Sequence, residues 1–302
     1  MIETLRQAWL SLPVNARGVI WITIGTIFFA LNDVFVKTAG LTIHPLQLGF
    51  FRYLLGFMLL SPLFFRLGWE GLKTERFGLH FLRTVVAGSG QIAVFYAVIH
   101  LMLADATAIS FSRPLFMTLL AVLILKETVG WRRWMATAIG FVGVVVVIRP
   151  GDGVIEPAAM IGLGSALLFS IGLVLIRRLG STEPPVRILF HYHAIGTVLS
   201  LGPAILVWKQ PVGNEWMMLL MIGILTTVAM TCFVRGFVVG EVSVLGPMEY
   251  TRLVYAAILG YLVFAEIPLI WTWIGSAIIV ASAIYIARTE AFGQKPMQSG
   301  AD

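Results

Sequence analysis

Charged residues are scarce in this 302-residue chain: Asp, Glu, Lys and Arg make up 12% of it, apolar residues make up 59%, and the mean hydropathy is +0.92. A soluble globular domain typically carries about 25% charged residues. The scarcity excludes an ordinary water-soluble domain, and the apolar excess indicates an integral membrane protein.

Cysteine is nearly absent, since Cys232 is the single one, and this excludes both a disulfide framework and a cysteine zinc site. His191 and His193 resemble a metal pair, but residues two apart on a helix point to different faces. The H-E-x-x-H, G-x-S-x-G and phosphate-loop motifs are also missing. We therefore expect no metal, no cofactor and no ATP-driven chemistry. The net charge is +6, but the sequence contains no soluble domain on which basic and aromatic residues could form a binding surface for nucleic acid. We therefore expect no nucleic-acid partner.

Long apolar segments are what the chain does contain. A helix needs roughly 20 apolar residues to cross the hydrocarbon core, and a barrel strand would instead alternate over about ten. Ten continuous segments lie near 18–37, 45–65, 78–100, 104–125, 132–148, 157–177, 187–208, 215–237, 241–264 and 268–287. The sequence predicts an all-α protein with ten transmembrane helices, a first segment 1–17 and a tail 289–302.

An internal duplication organises these segments. Ser112-Arg113 recurs 139 residues later as Thr251-Arg252, and the same offset aligns Glu127 with Glu266. The predicted units are a five-helix repeat at 18–150 and another at 151–288. Because five is odd, the second repeat should enter the membrane inverted relative to the first.

The distribution of Lys and Arg predicts the orientation. Three of the 21 basic residues fall on connections counted as outside (Lys37, Arg149 and Lys209), four fall inside spans, and the remaining 14 fall on the side of the termini. Cytoplasmic segments of membrane proteins carry the excess of Lys and Arg. Both termini are therefore predicted to be cytoplasmic.

Two of the four arginines inside spans, Arg113 and Arg252, lie near mid-bilayer by helical rise. Ser110 and Glu249 each precede an arginine by three residues and so share its helical face. Charges inside a membrane are costly and usually functional, which favours substrate contact. The alternative is a structural pair between Glu249 and Arg252.

Asp33 and Arg52 lie at similar depth in the outer half of the first two spans, which predicts an ion pair, either a gate or a static tie. His191 stands where the first repeat has Arg52, and histidine is the side chain type used for proton switching at physiological pH, so His191, together with Glu249, is a candidate for proton coupling. Arg83 lies close to a helix end, so we interpret it as reaching to the interface and leave it outside the site.

Further polar and aromatic residues inside the spans are candidates for a substrate pocket. Gln91 and Tyr96 lie on the third span, and Tyr250 and Tyr255 flank Arg252. The alternative is that such residues form hydrogen bonds between helices.

The chain resembles the drug/metabolite transporter superfamily, EamA type. Ten spans, the duplication and the endings Leu123–Glu127 and Leu262–Glu266 carry the resemblance. Shorter strings are similar to the bacterial S-adenosylmethionine transporter branch: Asn32-Asp33-Val34 with Lys37, Phe50-Phe51-Arg52, Pro114-Leu115-Phe116, and Tyr250 followed by Arg252. The resemblance implies a multi-pass protein of the bacterial inner membrane, with a central cavity walled by spans one to four and six to nine. Asn32 joins the candidate substrate residues through it.

The expected function is secondary transport, as an exporter or exchanger, of a small carboxylate-bearing metabolite such as an amino acid or an S-adenosylmethionine-like compound, by alternating access. A riboflavin-like vitamin importer is the alternative. An enzyme acting on lipid-linked substrate is the alternative from another class, but it should show clustered catalytic groups. A non-transporting helper subunit is a third reading. Partners would be the substrate and the bilayer, with the chain as a monomer or homodimer.

Overall fold

The computed structural model describes residues 12–124, 126, 129–149, 156–180, 182–239 and 245–293, and in these ranges the regular elements are all helices. They are α1 Val14–Gly40, α2 Pro45–Leu72, α3 Phe77–His100, α4 Leu103–Ser110, α5 Arg113–Leu123, α6 Trp131–Ile148, α7 Pro157–Gly180, α8 Pro185–Leu206, α9 Asn214–Val239, a 3₁₀-helix Gly246–Tyr250, α10 Thr251–Phe264 and α11 Ile270–Gly293. The predicted all-helical class is confirmed.

Nine segments among the described residues are long and apolar enough to cross a membrane. They correspond to the predicted spans except the ninth, 241–264, whose first four residues lie outside the described part of the chain. The remainder of that span is the 3₁₀-helix followed by the 14 residues of α10. The count of ten therefore stays a prediction. Residues 1–11 and 294–302 of the two predicted terminal segments also lie outside the described ranges.

Proline explains a break that the sequence analysis did not expect inside the fourth span. Pro114 has no N–H to donate to the carbonyl of Ser110, so the helical hydrogen-bond ladder cannot continue. The backbone tightens instead, with Ser112 N donating to Ile109 O at 3.0 Å, and α4 ends where α5 begins. One apolar segment therefore contains two helices, and the second starts at Arg113.

Helices of the two repeats pack in reciprocal pairs. α1 packs against α9 and α3 packs against α7, while α2 packs against α8 and α6 against α11. The 139-residue offset makes α1 equivalent to α7, α3 to α9, α2 to α8 and α6 to α11. The α1–α9 contact is therefore repeated by the equivalent α7–α3 contact, while the other two contacts each join a helix to its own equivalent. A Cβ on Gly143 of α6 would lie 2.8 Å from the carbonyl oxygen of Gly275 on α11, so glycine permits this close approach.

Tyr53 of α2 and Tyr192 of α8 are equivalent residues of the two repeats that touch each other. The Tyr53 hydroxyl donates to the Tyr192 hydroxyl at 3.1 Å, and the two rings lie 5.1 Å apart, edge to face. Both side chains are buried. Equivalent residues in direct contact mark the place where the two halves of the molecule meet most symmetrically.

Candidate functional site

The two mid-span arginines both stand in the first turn of a helix that follows a break. Arg113 begins α5 after the Pro114 break, and Arg252 is the second residue of α10, directly after the 3₁₀-helix that contains Pro247. The first turn of a helix carries unpaired N–H groups and the positive end of the helix dipole. Each arginine therefore adds its charge to a helix end that already favours an anion.

Both arginines also have the same kind of aromatic neighbour. The guanidinium carbon of Arg113 lies 5.1 Å from the ring centre of Phe169 on α7, and that of Arg252 lies 5.3 Å from the ring centre of Phe29 on α1. These are cation–π distances. Since α1 and α7 are equivalent helices, each arginine lies over a phenylalanine from the first helix of the opposite repeat.

Their acidic partners differ. Arg252 donates from Nη2 to Asp33 Oδ2 at 2.5 Å, whereas Arg113 makes no ion pair or side-chain hydrogen bond with any residue that the structure describes. Glu249 lies within electrostatic range of both arginines. The Nε groups of Arg113 and Arg252 are both buried, and neither has a hydrogen-bond partner among the residues described.

The predicted ion pair between Asp33 and Arg52 is wrong in this structure. The carboxylate of Asp33 is taken by Arg252 because α10 packs against α1, whereas α1 and α2 touch only sparsely. Helical rise gives the depth of a side chain but not the helix that it faces. For the same reason, Glu249 is not the direct partner of Arg252.

Arg52 lies instead against the tyrosine pair. Its guanidinium carbon is 5.6 Å from the ring centre of Tyr53, and that of Arg83, from α3, is 4.5 Å from the ring centre of Tyr192. Arg83 is only 6% exposed, so its interpretation as an interfacial residue was wrong. The interpretation rested on its position near a helix end. The signal for burial in the sequence was the apolar residues on either side of Arg83.

Two further candidates connect to the arginine region. Asn32, next to Asp33, accepts a hydrogen bond from Thr226 of α9 at 2.9 Å, which ties α1 to α9. Tyr250 packs edge-on against Phe111 in the α4–α5 break, with ring centres 4.9 Å apart. The break of the fourth span and the 3₁₀-helix of the ninth therefore touch one another beside the arginines.

The other candidates from the sequence analysis make their described contacts with residues other than Arg113 and Arg252. Ser110 donates to the carbonyl of Ala106 on its own helix at 2.9 Å. Tyr96 stacks on His100 in the last turn of α3, with ring centres 4.0 Å apart. Gln91 is buried on α3 and Tyr255 is half-buried on α10, and within the described ranges no hydrogen bond joins either to an arginine.

His191 belongs to a group of polar residues near the first residues of α8. Its ring stacks on that of His80 at 4.4 Å, and its Nδ1 lies 3.0 Å from the carbonyl oxygen of Arg187. His80 in turn lies 3.9 Å from the carboxylate of Glu183. The sequence singled out His191 for proton coupling but not His80 or Glu183.

Glu183, in the connection before α8, holds this group to the α2–α3 connection. Thr74 donates to Glu183 Oε1 at 2.6 Å, and Arg187 donates to Glu183 Oε2 at 2.9 Å and to the carbonyl of Gly71 at 2.8 Å. Burial by itself raises the pKa of Glu183, but the hydrogen bonds from Thr74 and Arg187 outweigh it and hold the pKa below its usual value. The carboxylate is therefore ionised at neutral pH.

Comparison with known proteins gives a consistent picture. The model of the EamA-like transporter family matches the sequence twice, at residues 16–149 and 157–288, which confirms the resemblance seen in the sequence. An S-adenosylmethionine uptake transporter of Rickettsia felis is 29% identical over 280 residues, covering 93% of this chain and 95% of that protein.

More distant relatives bear other names. A riboflavin transporter of Vibrio cholerae serotype O1 is 26% identical over 91% of this chain and 94% of its own length. The pseudopaline exporter CntI of Pseudomonas aeruginosa is 26% identical over 92% of this chain and 99% of its own length. A solved crystal structure covers 92% of this chain and 98% of its own, with a TM-score of 0.62 at 18% identity, and supports the fold alone.

Proposed function

Because the chain belongs to the EamA-like transporter family, we propose that it is a secondary active transporter, an exporter or exchanger, of a small carboxylate-bearing metabolite. The substrate class is an amino acid or an S-adenosylmethionine-like compound, and its carboxylate binds at Arg113 with Arg252 nearby. The name of the Rickettsia felis relative supports this class.

The observation that carries the proposal is the inequality of the two arginines. Asp33 neutralises Arg252 directly, but Arg113 has an aromatic ring beside it and no carboxylate in contact among the described residues. An arginine at the centre of a membrane helix costs about 2.5–3.5 kcal/mol on insertion scales and needs a partner. The planar fork of a guanidinium suits a carboxylate, so a substrate carboxylate satisfies Arg113.

The proposed mechanism is alternating access between two inverted repeats. Connections that the charge distribution assigns to one side contact each other across the repeats: Thr74 with Glu183 on the predicted inside, and Gln47 with Lys209 on the predicted outside. These contacts support opposite orientations of the two repeats, whereas the cytoplasmic location of the termini rests on the distribution of Lys and Arg. The repeats would rock about the arginine region, which lies near the bilayer midplane.

A riboflavin-like vitamin importer is the second candidate, because relatives bear that name. Riboflavin has no carboxylate, so its transport would not depend on the guanidinium fork of Arg113. An enzyme acting on lipid-linked substrate lacks support from any of the named relatives.

Transport by lysine variants in proteoliposomes tests the proposal. A ligand-stabilisation screen over amino acids, S-adenosyl compounds and riboflavin first selects the substrate. Arg113→Lys keeps the charge but loses the fork, so we expect affinity to fall by about ten- to a hundredfold, or roughly 1.5–3 kcal/mol. Arg252→Lys should weaken binding less, because Asp33 already holds its side chain.

The exposed Arg66→Lys is the matched control and should behave as wild type. If both Arg113→Lys and Arg252→Lys transport a carboxylate substrate at the wild-type rate and affinity, the arginines are structural. If riboflavin is the compound that stabilises the protein and Arg113→Lys still carries it, the second candidate replaces the first.

A further inference from the structure

A second pair of arginines lies at the contact between Tyr53 and Tyr192, and of these Arg83 is buried and Arg52 is half-buried. Arg52 of α2 and Arg83 of α3 flank Tyr53 and Tyr192, and these four residues form the arginine–tyrosine cluster. Arg83 is 6% exposed and Tyr53 is 1% exposed, and Arg52 lies beside both phenol oxygens. α3 approaches closely because Gly88 faces the cluster: a Cβ there would lie 3.3 Å from the Tyr53 hydroxyl.

The cluster carries positive charge without a counter-charge. Among the described residues, no carboxylate forms an ion pair with Arg52 or Arg83, and the groups that surround them are the two tyrosines, His193 and, for Arg83, His80. Glu183, in the connection before α8, is already engaged by Thr74 and Arg187. Two guanidinium groups therefore share one buried place with neutral aromatic partners.

Hydrogen-bond donors are also left over. Arg52 Nη1, Arg83 Nε and Arg83 Nη1 are buried and find no acceptor in the part of the chain that the structure describes. Ring faces partly compensate a cation, but they do not accept directed hydrogen bonds as an oxyanion does. Leftover donors on guanidinium groups that lie against the same tyrosine pair suit the oxygen atoms of a carboxylate or phosphate.

We propose that the arginine–tyrosine cluster is a second anion-binding site, for a carboxylate or phosphate group, separate from the site at Arg113 and Arg252. The electrostatic neighbours of Arg113 are Arg252, Glu249 and Asp33, and the arginine–tyrosine cluster shares none of them. The site does not depend on the proposed substrate: it binds an oxyanion whether the anion is free or part of a larger solute.

Binding of two probes to the purified full-length protein tests the site. Inorganic phosphate and O-phosphoethanolamine, which has a phosphate but no carboxylate, are titrated at constant ionic strength held with chloride, and binding is followed calorimetrically and by thermal stabilisation. Arg83→Gln should weaken binding at least tenfold, whereas Arg113→Lys should change it less than twofold. Binding of phosphate assigns a free oxyanion, and binding of phosphoethanolamine alone assigns the group to a larger solute; both support the site.

The stability of the ligand-free variant gives an independent readout. An arginine held by a carboxylate would destabilise the protein when removed, but an arginine without a counter-charge should not. We therefore expect the Tm of ligand-free Arg83→Gln to equal or exceed that of wild type. Where Arg83→Gln does not fold, Arg83→Lys keeps the charge and should weaken the binding of the same probes at least threefold.

Three results would overturn the site. They are wild-type protein that binds neither probe, an Arg83→Gln variant that binds with wild-type affinity, and an Arg113→Lys variant that loses binding as completely as Arg83→Gln. The last result would place the anion at the first arginine pair. Because Arg113→Lys reports on that pair alone, failure of the proposed transport site and failure of this second site give different patterns.

Discussion

Arg113 and Arg252 occupy equivalent positions of the two repeats and have nearly identical aromatic neighbours, at 5.1 and 5.3 Å, yet their acidic surroundings differ. Asp33 of α1 binds Arg252, while the residue equivalent to Asp33 in the second repeat is Gly172 of α7. The two halves share the same arrangement of helices. The difference between Asp33 and Gly172 leaves Arg252 paired and Arg113 without a contacting carboxylate among the described residues. In the proposed site, a symmetric frame with asymmetric acids leaves one of the two arginines available to a ligand.

The arginine–tyrosine cluster repeats this lesson in another place. Tyr53 and Tyr192 are equivalent and touch each other, but the second repeat has His191 in place of Arg52 and Ile222 in place of Arg83. Both proposed anion sites thus include equivalent positions that differ in charge between the repeats. The two tyrosines kept the same residue type and contact each other between the halves.

The largest expected effect follows from removing the acid that distinguishes Arg252. Asp33→Asn leaves a guanidinium that is 16% exposed without its counter-charge, which should cost about 3–5 kcal/mol of unfolding free energy. Glu249→Gln should cost less, since Glu249 makes no direct ion pair with a described residue. Chemical unfolding in detergent, followed by tryptophan fluorescence, measures both.

Matched double variants control this comparison. Asp33→Asn with Arg252→Gln removes both charges and should recover most of the lost stability, whereas Asp33→Asn with Arg113→Gln should not. Equal stability of the two double variants would show that Asp33 does not discriminate between the arginines.

The second expected effect comes from making the repeats equal. Gly172→Asp gives Arg113 the carboxylate that Arg252 has, and this carboxylate should compete with the substrate. A Cβ at Gly172 meets the Cβ of Ala87 at 3.5 Å, an ordinary contact, so the backbone has room for a side chain. We expect substrate affinity to fall at least tenfold, or about 1.4 kcal/mol.

Gly172→Asn is the control for this variant because it has the same shape without the charge. Substrate binding by both is measured through thermal stabilisation across a concentration series. Equal loss of affinity in the aspartate and asparagine variants would mean that bulk, not charge, at α7 disturbs the site.

Much of the fold could be predicted from the sequence because a bilayer leaves a chain few alternatives. Apolar length alone located the helices, and the offset register revealed two repeats. The break before Arg113 could not be predicted from hydropathy, since α4 and α5 read as one apolar segment. The missing N–H of Pro114 was the available signal.

The site could be predicted only in part. Arg113, Arg252 and Asp33 were identified because charges in apolar segments are conspicuous, but Asp33 was assigned to Arg52. Helical rise fixes how deep a residue lies, and the identity of its neighbour depends on which helices pack together. That information is absent from one sequence, and Arg83 was missed for the same reason.

The smallest expected effect concerns the pair that stayed symmetric. Tyr53→Phe and Tyr192→Phe each remove the same hydrogen bond, so each should cost about 1 kcal/mol of unfolding free energy. Each single variant leaves the other hydroxyl without its partner, whereas the double variant removes both hydroxyls. The double variant should therefore cost no more than either single one, and a double-mutant cycle in detergent measures this coupling. The exposed Tyr285→Phe serves as a control and should have no effect.

A cost of Tyr192→Phe that exceeds that of Tyr53→Phe by about 1 kcal/mol would contradict the expectation that the two tyrosines contribute equally. It would show that the asymmetric arginines Arg52 and Arg83 reach the phenol oxygens unequally, so that the charge difference between the repeats extends to the contact where their sequences agree.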